Sequence, residues 1–430
     1  MIKKEIPFVH PVILSACICA FLLYTNAVPL GKRNAYKSIL PAQSVTAIYG
    51  LLETPLCISG SSKIYSTSVK LHVVRGVLPY MPARNFSMEN NAFSAAGAIP
   101  VSIPASFVET YSPGRLSSLA KKSFLIEKGA YIQAEGIWSE TKGSFVIKEI
   151  SDCHFSNTLL GRIAHLRAIS RLLFKRLMYS WGSAGALVLS LLSGSREYLS
   201  DSVRDYFKDA GLSHILALSG MHLSFFSGLA TKAGRKLFGK KYIYIPQLIS
   251  VLLFFWFAGI SPSLLRALIC SLFLLTASLI CHKNIDMAAV LSAAFLIHIS
   301  LLPQDMHSAA FMLSYAALGG IVLLSSIFAK PLSLAFGPAT TNALSSSISA
   351  QIATSGISVS LFGKLMPIGI VASMIVSPLI TLFLTSAIVF IVIALCIPFL
   401  SPVFSGILSL QYKVIIFFVE LFSKVPPITC

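Results

Sequence analysis

The sequence predicts an α-helical polytopic membrane protein with a small N-terminal β-barrel domain outside the cytoplasm. Of its 430 residues, 55% are hydrophobic and only 12% are charged, whereas soluble proteins carry about 25% charged residues. The apolar residues form nearly continuous runs after Trp181, while residues 26–160 show short, alternating runs. The net charge of +18 is typical of membrane proteins, because their cytoplasmic loops collect Lys and Arg. An anionic partner such as nucleic acid or lipid headgroups would also account for part of it.

The first 25 residues are predicted to form a membrane anchor. Lys3 and Lys4 precede an apolar run over residues 8–23, which is the pattern of a signal segment. Since no convincing cleavage site follows, we interpret this run as an uncleaved anchor whose N-terminus lies in the cytoplasm.

Residues 26–160 are predicted to form the β domain. Within residues 63–78, apolar Val69 and Leu71 alternate with polar Lys70 and His72, which is the period of a half-buried strand. Five short strands are typical of a small barrel of the oligonucleotide/oligosaccharide-binding (OB) type. The other four strand-like stretches are residues 44–52, 98–109, 129–138 and 144–150.

Two cysteines, Cys57 and Cys153, lie near the two ends of the β domain. Outside the cytoplasm they could form a disulfide, because that compartment is oxidising. The alternative is a pair of separate, buried thiols.

Residues 161–212 are predicted to be a membrane-associated amphipathic segment. Leucines and isoleucines interleave in its first half with five cations, which would place the helix on a membrane surface with its cations at the headgroups; guiding a polyanion is the alternative. The apolar run 181–193 that follows is too short to span about 30 Å of hydrocarbon. The five cations are Arg162, Arg167, Arg171, Lys175 and Arg176.

Residues 213–430 are predicted to be a polytopic transmembrane domain of the cytoplasmic (inner) membrane, with eight to ten spans when the anchor is counted. The loop 231–241 carries five Lys and Arg, and the loop 303–307 carries Asp305 and no Lys or Arg. The first loop is therefore predicted to be cytoplasmic and the second to lie outside. The predicted spans are residues 213–230, 242–258, 263–280, 287–302, 309–328, 345–362, 366–399 and 403–422.

Polar residues at membrane depth need a partner or water, and two histidines and an arginine stand out. His214 and His222 lie in a predicted span, with Ser219 three residues before His222; a satisfied internal hydrogen bond and a water-filled path both explain them. Arg266 lies a few residues inside another span, where it could reach the interface or touch an anion in a hydrated cavity.

A stripe of small residues lies on the same predicted span. Gly220, Ser224 and Gly228 recur every four residues, which would let a second helix approach closely. The hydroxyl-rich stretch 345–360 likewise indicates a helix that faces water or protein on one side rather than lipid alone.

Catalytic motifs are absent from the sequence. It contains no GxxxxGK[ST] phosphate loop, no HExxH motif and no CxxC pair, which are the usual marks of nucleotide and metal sites. We therefore expect a protein that is not an enzyme and that holds no metal and no cofactor.

Residues 191–228 read LLSGSREYLSDSVRDYFKDAGLSHILALSGMHLSFFSG and resemble the competence domain of the ComEC family of DNA-uptake channels. The segments GISPSLLRA at 259–267 and FMLSYAA at 311–317 agree with that family in order. The resemblance implies passage of single-stranded DNA across the cytoplasmic membrane during natural transformation. It also implies channel residues at the matching positions, which are His214, Ser219, Gly220, His222 and Arg266.

The family resemblance also implies partners. They are an extracytoplasmic DNA receptor and a cytosolic ATPase or single-strand-binding protein. Many relatives carry a C-terminal metallo-β-lactamase-like domain, but no His-x-His-x-Asp-His motif occurs in this sequence, so a separate nuclease could act on the other strand. Two other hypotheses remain open from the residues alone: a transporter of small solutes or lipid-linked substrates, and a ligand-binding module held by its spans.

Overall fold

The computed structural model describes residues 11–24, 36–58, 64–76, 92–108, 124–218, 220–238, 244–279 and 286–429. The chain divides into two compact units. The sheet unit comprises Lys32–Ser180 and Ser195–Tyr198, and the helical unit comprises Met1–Gly31, Trp181–Gly194 and Leu199–Cys430. The predicted amphipathic segment, residues 161–212, is thus divided between the two units.

Five of the strands in the sheet unit correspond to the five predicted stretches, and two short ones are additional. Strand β1 pairs antiparallel with both β6 and β3, so the pairings run β1–β6–β7–β5–β3 and return to β1. The β5–β7 pairing is parallel. The strands are β1 (Val45–Leu52), β2 (Cys57–Ile58), β3 (Ile64–Gly76), β4 (Ala92–Ser94), β5 (Ala98–Pro104), β6 (Ala130–Ser139) and β7 (Ser144–Phe155).

Strand alternation separates a core face from an outer face. On β6, Ala130, Ile132 and Ala134 are fully buried, whereas Gln133 and Glu135 are exposed, as the two-residue period of a strand requires. β1 bends enough to pair on both sides, with a register shift before Gly50. A Cβ at Gly50 would collide with the carbonyl oxygen of Lys70, so this close pairing requires glycine.

The helical unit contains three helices that are long and apolar enough to cross a membrane, among the residues that the structure describes. They are Ala309–Leu332, Gly369–Cys396 and Pro398–Ser423, the last including a short 3-10 turn. The larger number of spans stays a prediction. Of the anchor, the structure describes helix Pro11–Tyr24, and Lys3 and Lys4 lie outside the described residues.

The chain contains thirteen helices in the described ranges. They are α1 (Pro11–Tyr24), α2 (Leu159–Ser180), α3 (Gly182–Ser193), α4 (Asp201–Asp209), α5 (Ser213–Leu216), α6 (Gly220–Phe238), α7 (Tyr244–Ala258), α8 (Pro262–Leu279), α9 (Met287–Leu301), α10 (Ala309–Leu332), α11 (Pro338–Phe362), α12 (Gly369–Cys396) and α13 (Ser401–Ser423). Of these, α2 belongs to the sheet unit.

One predicted span is divided in the structure, and the longest one is a single helix. The stretch 213–230, predicted as one helix, is divided: α5 ends at Leu216, Ala217 is extended, and α6 begins at Gly220. The stretch 366–399 forms a single helix, α12, with Pro378 in its interior. The break before Gly220 puts the start of α6, rather than its middle, against α8.

Candidate functional site

The start of α6 meets the guanidinium group of Arg266 on α8. A Cβ added at Gly220 would lie 3.1 Å from Nη2 of Arg266 and 3.4 Å from Cβ of Ala267. Since 3.1 Å is closer than an ordinary van der Waals contact, any side chain at this position would push the guanidinium aside. Gly220 and Arg266, both predicted as site residues, are therefore brought together by the fold.

The Arg266 side chain crosses to α10, where Nη1 donates a hydrogen bond of 2.6 Å to the carbonyl oxygen of Ser314. Its Nε atom is buried and has no hydrogen-bond partner within the described ranges, and the same holds for Oγ of Ser314. No carboxylate among the described residues forms an ion pair with Arg266; the groups that act on its charge are Cys270 and Tyr315. The arrangement thus holds a cation with unused donors, which is the chemistry that binds a phosphate or a carboxylate.

A polar network next to Arg266 joins three side chains that the sequence did not single out as a site. His298 on α9 is fully buried; its Nδ1 lies 3.2 Å from the hydroxyl of Tyr315, and its Nε2 lies 3.2 Å from Oδ2 of Asp305. Arg266 is close enough for its charge to act on both His298 and Tyr315. In the sequence, the one signal for this network was Asp305, which is the only acidic residue of the loop 303–307.

The hydrogen bonds of this network link three elements of the helical unit. The Tyr315 hydroxyl donates to the carbonyl oxygen of Ala294 at 3.1 Å, which leaves its oxygen able to accept a hydrogen bond from Nδ1 of His298. His298 thus lies between the Tyr315 hydroxyl on one side and the Asp305 carboxyl group on the other.

A row of four rings lies on the outer face of the sheet unit. Tyr131 on β6 is at its centre, with ring centroids 5.8 Å from Tyr49 on β1, 5.8 Å from His72 on β3 and 5.7 Å from His154 on β7. The two tyrosines are half-buried and the two histidines are exposed. Lys70, two residues from His72 and on the same face, is also exposed. The row therefore offers flat π surfaces beside a cation.

Comparison with known proteins matches most of the helical unit to one protein family. Residues 191–429 match the family model described as Competence protein, which is more than half of the chain. The chain belongs to the competence protein family. The resemblance noted in residues 191–228 is thereby confirmed, and both the Gly220–Arg266 contact and the His298 network lie within the matched residues.

A relative of this competence protein is ComE operon protein 3 of Bacillus subtilis (strain 168), which is 29% identical over 143 residues. The match covers 33% of this chain and 18% of that relative, so the chain aligns with less than a fifth of its length. No solved structure matches the chain.

Of the remaining predicted channel residues of this competence protein, His222 and His214 lie among the described residues. His222 is fully buried on α6, but it is two residues from Gly220, or about 200° around the helix, so the two positions face opposite ways. His214 is exposed on α5. Ser219 lies outside the described residues.

The predicted small-residue stripe makes its close contact at one end. Gly220 meets α8, whereas Ser224 and Gly228 are exposed, and a Cβ at Gly228 would meet no described atom within 4 Å. A tighter crossing occurs at Gly320 of α10, where a Cβ would collide with Ala353 of α11. The hydroxyls of α11 bond to carbonyls of their own helix, as Ser349 does to Ser345 at 2.6 Å.

Of the predicted cysteine pair, only the side chain of Cys153 lies among the described residues. Burial, reinforced by the nearby charge of Asp152, raises the pKa of the Cys153 thiol to about 12, and Sγ donates to the carbonyl oxygen of Leu125 at 3.8 Å. The Cys57 side chain lies outside the described residues. The Cys57–Cys153 disulfide stays a prediction.

Proposed function

We propose that this competence protein conducts single-stranded DNA across the cytoplasmic membrane during DNA uptake, with Arg266 as the contact for the backbone phosphates. The observation that carries the proposal is the cation at the start of α8, which meets Gly220 and a backbone carbonyl instead of a carboxylate. A nucleic acid strand carries one charge per phosphate, so it cannot enter hydrocarbon without cationic or polar partners. Contacts of this kind bind the backbone without reading sequence.

We further propose that the circuit of strands is an OB-like barrel held outside the cytoplasm, where it meets the strand first. The ring row supports this role, because bases stack on aromatic side chains regardless of sequence. The orientation is supported by the five Lys and Arg of residues 231–241, although three of them lie in the last turns of α6 rather than in a loop.

The chain has no phosphate loop, so the proposal assigns the pulling force to a cytosolic ATPase or single-strand-binding protein, and DNA delivery to an extracytoplasmic receptor. A separate nuclease would remove the complementary strand. The protein itself is proposed to be a conduit and not an enzyme, in a multi-pass arrangement in the inner membrane.

The test is uptake of labelled DNA by cells that carry Arg266→Gln or Arg266→Lys. We expect Arg266→Gln to leave DNA bound outside the cell and to abolish the nuclease-protected fraction inside, while Arg266→Lys retains part of it because the charge remains. Arg235→Gln, which removes an exposed cation of α6, is the matched control. Normal uptake by a well-expressed Arg266→Gln variant would refute the assignment.

The ring row has its own test, binding of single-stranded DNA to the full chain in detergent. Tyr131→Ala should raise Kd by about 5- to 150-fold, since stacking contributes about 1–3 kcal/mol per base. Gln133→Ala, on the same strand and the same face, is the control. Equal Kd values for the two variants would exclude the row as a binding surface.

A further inference from the structure

Helix α2 buries two of the five cations that its sequence predicts at a membrane surface, Arg171 and Lys175. Its exposed side carries large apolar residues: Leu160 is 80% exposed, Leu166 59% and Leu173 57%. The face turned away from the sheet unit is thus mainly leucine and isoleucine, with Arg162 and His165 also exposed.

The buried cations are held by carboxylates of the same unit. Nε of Arg171 lies 3.4 Å and Nζ of Lys175 lies 3.6 Å from Oε1 of Glu127. Nζ of Lys175 also donates to Oε1 of Glu197 at 2.8 Å. Because Arg171 and Lys175 already have carboxylate partners, they are not available to lipid phosphates.

The exposed apolar residues form one continuous surface. Their spacing of three or four residues keeps them on a single side of the helix. The face runs from Leu159 to Leu173, so at about 1.5 Å per residue it is about 21 Å long. The face consists of Leu159, Leu160, Ile163, Leu166, Ile169 and Leu173.

The chain itself indicates what covers this face. A single residue, Trp181, separates the end of α2 from α3, an apolar helix of the unit that contains the three candidate spans. One end of α2 is therefore tethered to the membrane-embedded part of the chain. Exposure at the far end, at Leu159 and Leu160, requires a partner surface that runs along the whole helix, as a bilayer does.

We propose that α2 lies flat in the membrane surface, with its leucine and isoleucine face in the acyl boundary and with Arg171 and Lys175 turned into the sheet unit. Apolar burial, and not attraction between cations and headgroups, holds it there. Its depth therefore depends little on anionic lipid or on salt, in contrast to a helix that binds through basic residues. The proposal is independent of any role in DNA passage.

The experiment places single spin labels on the full chain in nanodiscs, in a background without native cysteines. The labelled variants are Leu160→Cys, Leu166→Cys and Leu173→Cys, whose exposed positions tolerate a label, and the control is Lys142→Cys in the exposed turn between β6 and β7. Collision rates with oxygen, which partitions into lipid, and with a water-soluble nickel chelate report depth. We expect the three α2 labels to favour oxygen equally in zwitterionic and anionic nanodiscs and at low and high salt, and the control to favour nickel.

Three outcomes would overturn the proposal. Nickel access at the α2 positions equal to that of Lys142→Cys would mean that the face meets water. Burial that appears only with anionic lipid and is lost in salt would mean that cations hold the helix. Spin–spin broadening between labels, with exclusion of both reagents, would mean that a second copy covers the face.

Discussion

In the sheet unit, Arg171 and Lys175 are buried beside the carboxylates of Glu127 and Glu197, whereas in the helical unit Arg266 meets a backbone carbonyl. Paired cations of the first kind stabilise the packing of a helix on a sheet, and removing one partner is costly. A cation of the second kind has donors left for a ligand. The difference between the two units is therefore a difference between structural and available charge.

The largest expected effect comes from breaking the pairs of the sheet unit. Glu127→Gln should lower the free energy of unfolding of this unit by about 3–5 kcal/mol, since it leaves two buried cations with less compensation. The measurement is pulsed alkylation of Cys153 across a urea series in the full chain, with its peptide followed by mass spectrometry. Glu53→Gln, at an exposed carboxylate of the same unit, should change the midpoint little. If Glu127→Gln and Glu53→Gln lowered the urea midpoint by similarly small amounts, the ion pairs of Glu127 would not stabilise the unit.

Removal of Arg266 should have the opposite effect on stability. Arg266→Gln breaks no ion pair among the described residues and removes a charge whose cost at membrane depth is up to about 2.5–3.5 kcal/mol. We expect its detergent-solubilised chain to aggregate at the same temperature as the wild type or at a higher one, although its uptake is lost. A strong loss of thermal stability would instead make Arg266 a structural cation.

A methyl group at Gly220 tests the contact without removing the charge. Gly220→Ala places a Cβ 3.1 Å from Nη2 of Arg266, so the guanidinium must give way by a few tenths of an ångström. DNA uptake should fall, but by less than in Arg266→Gln. Gly228→Ala, where a Cβ meets open space among the described residues, should leave uptake unchanged. If Gly220→Ala and Gly228→Ala gave equal DNA uptake, the contact at Gly220 would have no role in uptake.

The smallest effect is expected from pH. Burial alone would raise the pKa of Glu127, but Arg171, Lys175 and Arg167 hold it below its ordinary value. A depressed folded pKa contributes stability above the unfolded value of about 4.3 and loses it as pH falls through the folded value. The urea midpoint of the sheet unit, followed by hydrogen–deuterium exchange because thiols do not alkylate at acid pH, should thus fall below about pH 4 in the wild type, and less steeply in Glu127→Gln. Parallel pH curves would contradict the linkage.

Much of the fold could be predicted because strand and helix periods are local properties. The five predicted strands correspond to β1, β3, β5, β6 and β7, and the apolar runs correspond to helices. The division between α5 and α6 was missed, since no proline marks it and the residues around Gly220 read as one apolar helix. The long span over residues 366–399 is confirmed as one helix, because α12 continues through Pro378.

The site was predicted in part. Gly220 and Arg266 were identified from the sequence and meet in the structure, whereas the contacts of His298, Asp305 and Tyr315 join three elements that sequence spacing cannot relate. The ring row likewise draws one residue from each of four strands. Such sets depend on strand pairing and helix packing, so no local pattern contains them.

The amino-acid sequence by itself determined the membrane character, the positions of most helices and strands, and membership of the competence family. Composition and period are sufficient for the first two, because they follow from which residues each segment must bury, whereas family membership follows from the motifs of residues 191–228. Only the tertiary structure showed which cations are paired with carboxylates and which keep hydrogen-bond donors for a ligand. The cations of α2 and Arg266 look alike in sequence, and the presence or absence of a carboxylate from a distant segment gives them different roles.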